Sequence, residues 1–260
     1  MTPAVRPLRV FVITEDDPLY VIRFFDIFLR ECPRDRIELA GITVSRAFHE
    51  PLWKTARRIW RFYGTIDFLR LLVKWARAKW SGRNIASLAR QARVPVVEAD
   101  SVNSEDFLAR LRALDVDVLV SVAAPEVFKA PLLGVPRLGC INIHSGRLPQ
   151  YRGMMPTFWQ MRAGERTATV TIHEMAARLD AGGVIATLEF PLKDRDSLDR
   201  VICGTKEAGA RLMVETLLRF DAATGRRPQG VPFDVTSGKY NRFPDPVSVR
   251  EYRARGHRML

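Results

Sequence analysis

The sequence predicts an α/β protein with a doubly wound, mostly parallel central sheet. Three observations predict it: short branched apolar runs of strand length, amphipathic stretches of helix length between them, and polar turns where the runs end. Right-handed crossovers between successive strands then set helices on both faces of the sheet.

Residues 8–14 (LRVFVIT) are the first such run. Glu15-Asp16-Asp17-Pro18 opens a helix, with carboxylates suited to its positive end, and an amphipathic stretch continues to about Arg30. Further strands are expected at 37–44, 94–98, 116–122 and 139–143, with a helix at 105–113. Residues 168–172 and 184–190 alternate enough to be strands. Residues 197–220 read as one long helix, with Ser197 as N-cap and Leu198, Val201, Ile202, Ala208, Leu212 and Leu217 on its buried side. The expected organisation is one main domain over 1–224, with a helical insertion at 49–80, and a basic C-terminal tail over 225–260, too short for a folded domain of its own.

One segment interrupts this pattern. Residues 49–80 read as two amphipathic helices broken near Gly64, with Trp53, Trp60, Phe68, Trp75 and Trp80 set among arginines and lysines. Three readings compete: an insertion whose aromatic stripe packs on the domain, a patch for an anionic or lipid-linked substrate at a membrane surface, or a nucleic-acid contact. The first is the expected one.

At 260 residues and 47% apolar content the chain can bury a sizeable core, and its mean hydropathy of −0.09 fits a soluble protein. No apolar run approaches the ~18–20 residues of a membrane span. The N-terminus enters a strand at once, without the flanks of a secretory signal. Cys32, Cys140 and Cys203 lie far apart with no CxxC, as expected of buried thiols in a reducing cytoplasm. The net charge of +12 fits either an anionic partner or a solvated basic surface. The first strand-to-helix turn, TEDDP, has no glycine where a dinucleotide would need close backbone approach, and no GxxxxGK[ST] loop occurs. Nicotinamide, flavin and phosphate-loop chemistry are therefore not expected.

The informative stretch is 136–185. A strand carries Asn142 and His144, two residues apart and so on one face, to the carboxyl end of the sheet, where ligands bind. Asp180 follows in a tight LDAGG turn. Asn, His and Asp together suit acyl transfer to an amine. An amide N–H and an imidazolium can stabilise a developing oxyanion, and a carboxylate beside the ring can hold it protonated and collect the amine's proton. Such a site needs no metal.

These residues resemble the 10-formyltetrahydrofolate-dependent formyltransferases, a family of Rossmann-like fold that includes the glycinamide ribonucleotide, methionyl-tRNA and nucleotide-sugar enzymes. The shared pattern is Asn142-Ile143-His144, then Leu148-Pro149-Gln150-Tyr151-Arg152-Gly153, then Leu179-Asp180-Ala181-Gly182, with Thr171-Ile172-His173 ahead of the aspartate turn. The resemblance implies 10-formyltetrahydrofolate as formyl donor, held by backbone groups of Glu126, Val127 and Phe128 with Leu179 at the other wall. It implies Asn142, His144 and Asp180 as catalytic residues. Arg147 and Arg152 are placed between acceptor contact and loop anchoring, and His173 between substrate contact and packing. Asp16 and Asp17 start the first helix or, in a second reading, orient the acceptor's ammonium.

The chain departs from the family at His144-Ser145-Gly146-Arg147, where a cation enters the loop, and in the bulky residues 153–159. The expected acceptor is a small anionic amine such as a nucleotide-linked amino sugar. Methionyl-tRNA, hydrolysis of the folate, or a non-catalytic role in membrane or partner binding are the alternatives.

Overall fold

The structure, a computed structural model, describes residues 6–45 and 51–260. Strand β1 (Leu8–Glu15) leads through a turn to helix α1 (Val21–Glu31), and β2 (Ile37–Ser45) follows. A helical hairpin, α2 (Leu52–Tyr63) and α3 (Thr65–Trp80), precedes α4 (Ile85–Gln91) and α5 (Glu105–Ala113). Then come β3 (Val118–Val122), the short α6 (Ala130–Leu133), β4 (Cys140–His144), β5 (Tyr151–Gly153) and α7 (Pro156–Ala163). The chain closes with β6 (Thr167–Glu174), β7 (Val184–Pro191), α8 (Leu198–Leu217), β8 (Lys239–Asn241) and α9 (Pro246–Ala254).

Six strands form the central sheet in the order β2-β1-β3-β4-β6-β7. The first four run parallel; β6 and β7 are antiparallel to their neighbours. Both faces are covered, which is why the parallel strands read as continuous apolar runs. Val10 and Val12 of β1, Val118, Val120 and Val122 of β3, and Ile141 and Ile143 of β4 share one cluster with α1 and α8. The alternate residues Phe11, Ile13, Leu119 and Cys140 pack with Phe107, Leu108 and Leu111 of α5 on the other face. The two-residue period of a strand thus assigns Asn142 and His144 to the α5 face, opposite Ile141 and Ile143.

Several elements differ from expectation. Residues 94–98 do not form a strand: Pro95 supplies no backbone donor, and contact with β2 reduces to one bridge, Ile42 to Val96. Helix α1 starts at Val21, later than Glu15, because the Asp17 carboxylate first accepts from the amides of Leu19, Tyr20 and Val21 in a turn. On α8 Ser197 caps the first turn, accepting from Arg200 N at 3.2 Å, but Ile202 and Ala208 are only half-buried.

Beyond residue 225 the chain adds β8 to β5 as a two-stranded ribbon and lays α9 on α7. Tyr252 of α9 is fully buried and stacks on Phe158, with ring centroids 4.9 Å apart. These residues, with Phe62 and Tyr63 at the end of α2, make a third apolar cluster.

Of the segment expected at 49–80, residues 49 and 50 lie outside the described residues. The break does fall at Gly64, whose φ of 75° lies in the left-handed region. The expected packing of the aromatic stripe is corrected. Phe68 meets the core, but Trp53, Trp60, Trp75 and Trp80 are exposed. Among the described residues no helix is long and apolar enough to cross a membrane.

Candidate active site

A cavity of about 320 Å³ opens at the carboxyl ends of β3 and β4, the edge where a parallel sheet presents its strand-end loops. Asn142, His144, His173 and Asp180 all line it. The register explains their meeting. Antiparallel pairing of β4 with β6 sets Asn142 directly opposite His173 and His144 opposite Thr171. The β6–β7 turn then brings Asp180 back over the same edge.

Hydrogen bonds fix which nitrogen donates in each ring. His173 Nδ1 donates to the Glu174 carbonyl at 2.7 Å, so its Nε2 is bare and accepts from Asn142 Nδ2 at 3.0 Å. Burial, and then the neighbouring His144, push the His173 pKa down to about 4, which agrees with a neutral ring. His144 is buried too, and its Nε2 donates to the Tyr151 carbonyl at 2.7 Å. Its Nδ1 therefore faces Asp180, whose Oδ1 lies 3.8 Å away, beyond direct hydrogen-bond length. Asp180 Oδ1 is also 3.9 Å from His173 Nε2.

The turn that carries Asp180 depends on its glycines. Asp180 has a left-handed φ of 49°, and its Oδ2 accepts from Gly153 N at 2.9 Å. A Cβ on Gly182 would stand 1.9 Å from the Glu174 carbonyl oxygen, so only glycine lets the turn close on β6. The loop after His144 is pinned from behind. Gln160 Nε2 donates to Ser145 O at 3.1 Å and Thr171 Oγ1 to Gly146 O at 2.7 Å.

The segment expected to hold folate forms one wall. Glu126, Val127 and Phe128 line the cavity, with Leu179 across from them; Val127 and Leu179 are exposed and Phe128 is buried. Glu126 is itself held, accepting from Ser101 Oγ at 2.7 Å. Exposed apolar side chains on two walls, with strand-end backbone between, fit a flat heteroaromatic ring of the pteridine kind.

The two arginines do not join this group. Arg152 is buried, and its guanidinium donates to the carbonyls of Leu179 at 2.8 Å and Val235 at 3.4 Å. It anchors the aspartate turn. Arg147 points toward Thr169, Glu165 and Glu189 and is not part of the cavity wall. For both, the geometry supports loop anchoring over acceptor contact. His173 lines the cavity but is spent on Asn142 and Glu174.

Sequence reasoning missed Lys206. This α8 side chain lines the cavity, and burial lowers its pKa against the opposing pull of Glu15 and Asp17. Glu15, at the end of β1, is pushed up to about 7 by burial first and Asp17 second, with Lys206 working the other way. The one available signal was a lysine spaced four residues from Ile202 and four from Ala210, on the packed side of the helix.

A sequence model of the formyl transferase family matches residues 74–217, more than half of the chain. The chain belongs to this family. The methionyl-tRNA formyltransferase of Halalkalibacterium halodurans is 33% identical over 129 residues, covering 50% of this chain and 41% of that protein. The methionyl-tRNA formyltransferase of Methylobacillus flagellatus is 34% identical over 133 residues, covering 51% and 43%. The chain spans less than half the length of these curated relatives. Among solved structures, a sugar N-formyltransferase from a Shewanella species is similar with a TM-score of 0.57 at 20% identity, covering 90% of this chain and 76% of that one. Glycinamide ribonucleotide transformylase 1 from Symbiobacterium toebii is similar with a TM-score of 0.59 at 17% identity, covering 88% and 95%. Likeness at these identities is one of fold, and it agrees with the mostly parallel Rossmann-like sheet. The matched span contains Asn142, His144, Asp180 and Lys206; β1, β2, α2 and the first half of α3 lie before it.

Proposed function

We propose that the chain transfers a formyl group from 10-formyltetrahydrofolate to an amine. The observation that carries this reading is the convergence of Asn142, His144 and Asp180 on one cavity, with His144 locked at Nε2 and open at Nδ1 toward Asp180. When bound between the 126–128 segment and Leu179, the reduced folate supplies an activated formyl group.

The side chains then divide the work. Asn142, fixed by His173, has a second amide N–H to offer the oxygen on which charge develops. His144 Nδ1, when protonated, is a second donor, and Asp180 is placed to stabilise that positive charge. The carboxylate is also the acceptor available for the proton the amine must lose, directly or through a water. The Gly153 amide and Arg152, acting through the Leu179 carbonyl, hold Asp180 in place.

The acceptor proposed is a small anionic amine, of which a nucleotide-linked amino sugar is an example. Lys206 at the cavity wall suits its anionic part. Methionyl-tRNA is the second reading, favoured by the relatives named above. The test is incubation with 10-formyltetrahydrofolate and a panel of sugar-nucleotide amines, glycinamide ribonucleotide and methionyl-tRNA. Tetrahydrofolate release and acceptor mass are read together. Release coupled to a one-formyl mass gain supports transfer; release of formate without any formylated amine contradicts it.

A further inference from the structure

The hairpin of α2 and α3 presents an amphipathic pattern turned the wrong way for packing. On α3, Ile66, Leu69, Val73 and Trp80 recur at three, four and seven residues and so share one face. That face is the outer one: Ile66 is 69% exposed, Val73 57% and Trp80 92%. The helix cannot roll to hide it, because the inner side is committed. Phe68 and Leu71 pack on the core, Lys74 pairs with Asp199, and Lys79 pairs with Asp16 at 3.1 Å. Trp60 of α2 is tied to the start of α3, donating to Thr65 Oγ1 at 3.2 Å, and extends the exposed aromatic surface.

Cations flank this apolar stripe. Besides Lys74, Lys79 and Arg83, which pair with Asp199, Asp16 and Asp26, six basic residues and one acid, Asp67, lie from Pro51 to Arg83. On α2, Lys54, Arg57, Arg58 and Arg61 line a second cavity of about 470 Å³ together with Trp53 and Phe243. A single-sign basic rim around outward-facing Trp, Leu, Ile and Val matches a surface with negative headgroups above an apolar interior. Nucleic acid would use the charge but leave the aliphatic stripe in water. A second copy would meet like charge with like charge.

We propose that the α2–α3 hairpin docks the protein on an anionic phospholipid bilayer, lying in its interface with the α3 stripe inserted and the arginines among the headgroups. The docking is independent of the formyl-transfer reading. The test uses the full chain with vesicles of phosphatidylglycerol and phosphatidylcholine, and with phosphatidylcholine alone, followed by sedimentation. The parent should sediment with the anionic vesicles only and be released by high salt. Each cation near such a surface changes partitioning about fivefold, so Arg57→Gln/Arg61→Gln/Arg77→Gln should weaken it roughly a hundredfold. A second variant, Leu69→Ser/Val73→Ser/Trp80→Ser, should abolish sedimentation with an unchanged Tm, since these side chains are exposed in the parent. Brominated lipid should quench tryptophan emission in the parent. Sedimentation of neither parent nor variants, equal sedimentation of all three, or light scattering that shows a dimer dissociated by the serine variant in place of vesicle binding would overturn the proposal.

Discussion

At the scale of single residues, the ionisation of His173 orders the rest of the site. With Nδ1 donating to Glu174 and the pKa held near 4 by burial and His144, the ring can only accept at Nε2, which turns the amide nitrogen of Asn142 toward it. The role proposed for His173 is positioning, and His173→Ala should lower kcat about tenfold or more while leaving the KM for folate nearly unchanged. A matching rise in KM would show direct substrate contact instead. The same shift has a consequence for stability. Between pH 4 and 6.5 the unfolded chain binds a proton at this position that the folded chain does not, so stability from His173 falls as pH drops through that window. Glu15 works in the opposite sense. Its folded carboxyl keeps a proton up to about pH 7, above the 4.5 of a free glutamate, so stability from this group falls as pH rises from 4.5 to 7. The two contributions, each on the order of 3 kcal/mol over its whole window, oppose one another. Tm measured from pH 4.5 to 7 should therefore decline with pH in His173→Gln and climb in Glu15→Gln. Two profiles that coincide with the parent's would contradict both assignments. The motif residues Asn142, His144 and Asp180 were legible in the sequence because order and spacing single them out. Lys206 and Glu15 were not, because only the packing of α8 beside the end of β1 makes them part of one environment.

At the scale of elements, the aspartate turn shows how backbone geometry places a side chain. Gly182 approaches Glu174 too closely for any Cβ, and Asp180 sits in the left-handed region. Gly182→Ala should displace the turn, with a loss on the order of 1–3 kcal/mol in stability and a larger proportional loss in turnover than in folate binding. A variant with parental turnover would show that the turn has room it lacks here. The strands on either side were readable from their alternation, which β7 keeps as a half-buried face opposite an exposed one, while β6 is buried on both faces. Residues 94–98 failed the same reading because Pro95 leaves only a single bridge to β2. The α2–α3 hairpin was readable as two helices with a break at Gly64, but not in its orientation. Helical periodicity defines an apolar face, and only tertiary contacts decide that Phe68 and Leu71 turn inward while Leu69 and Val73 turn out.

At the scale of the whole molecule, the residues after 225 complete the fold around the site. Tyr252 fills the space between α7 and α9, stacking on Phe158 and donating from its hydroxyl to Arg258 O at 3.0 Å. Tyr252→Ala should cost about 3–5 kcal/mol, the usual range for deleting a buried aromatic ring, and Tm should fall by roughly 10 °C. A fall of only a degree or two would mean that α9 is peripheral to the core. The sequence showed this stretch only as a basic, proline-containing tail, because its few apolar residues have no period until the partners on α7 are known.

The roles proposed here have Asn142, His144 and Asp180 transferring a formyl group within a site that binds folate independently of them. The direct measurement is acceptor-dependent tetrahydrofolate release by the parent and by Asn142→Ala, His144→Ala and Asp180→Ala, alongside the affinity of each for 5-formyltetrahydrofolate. All three should bind the folate within a few-fold of the parent while turnover falls by about two powers of ten or more; parental rates in all three would contradict the account.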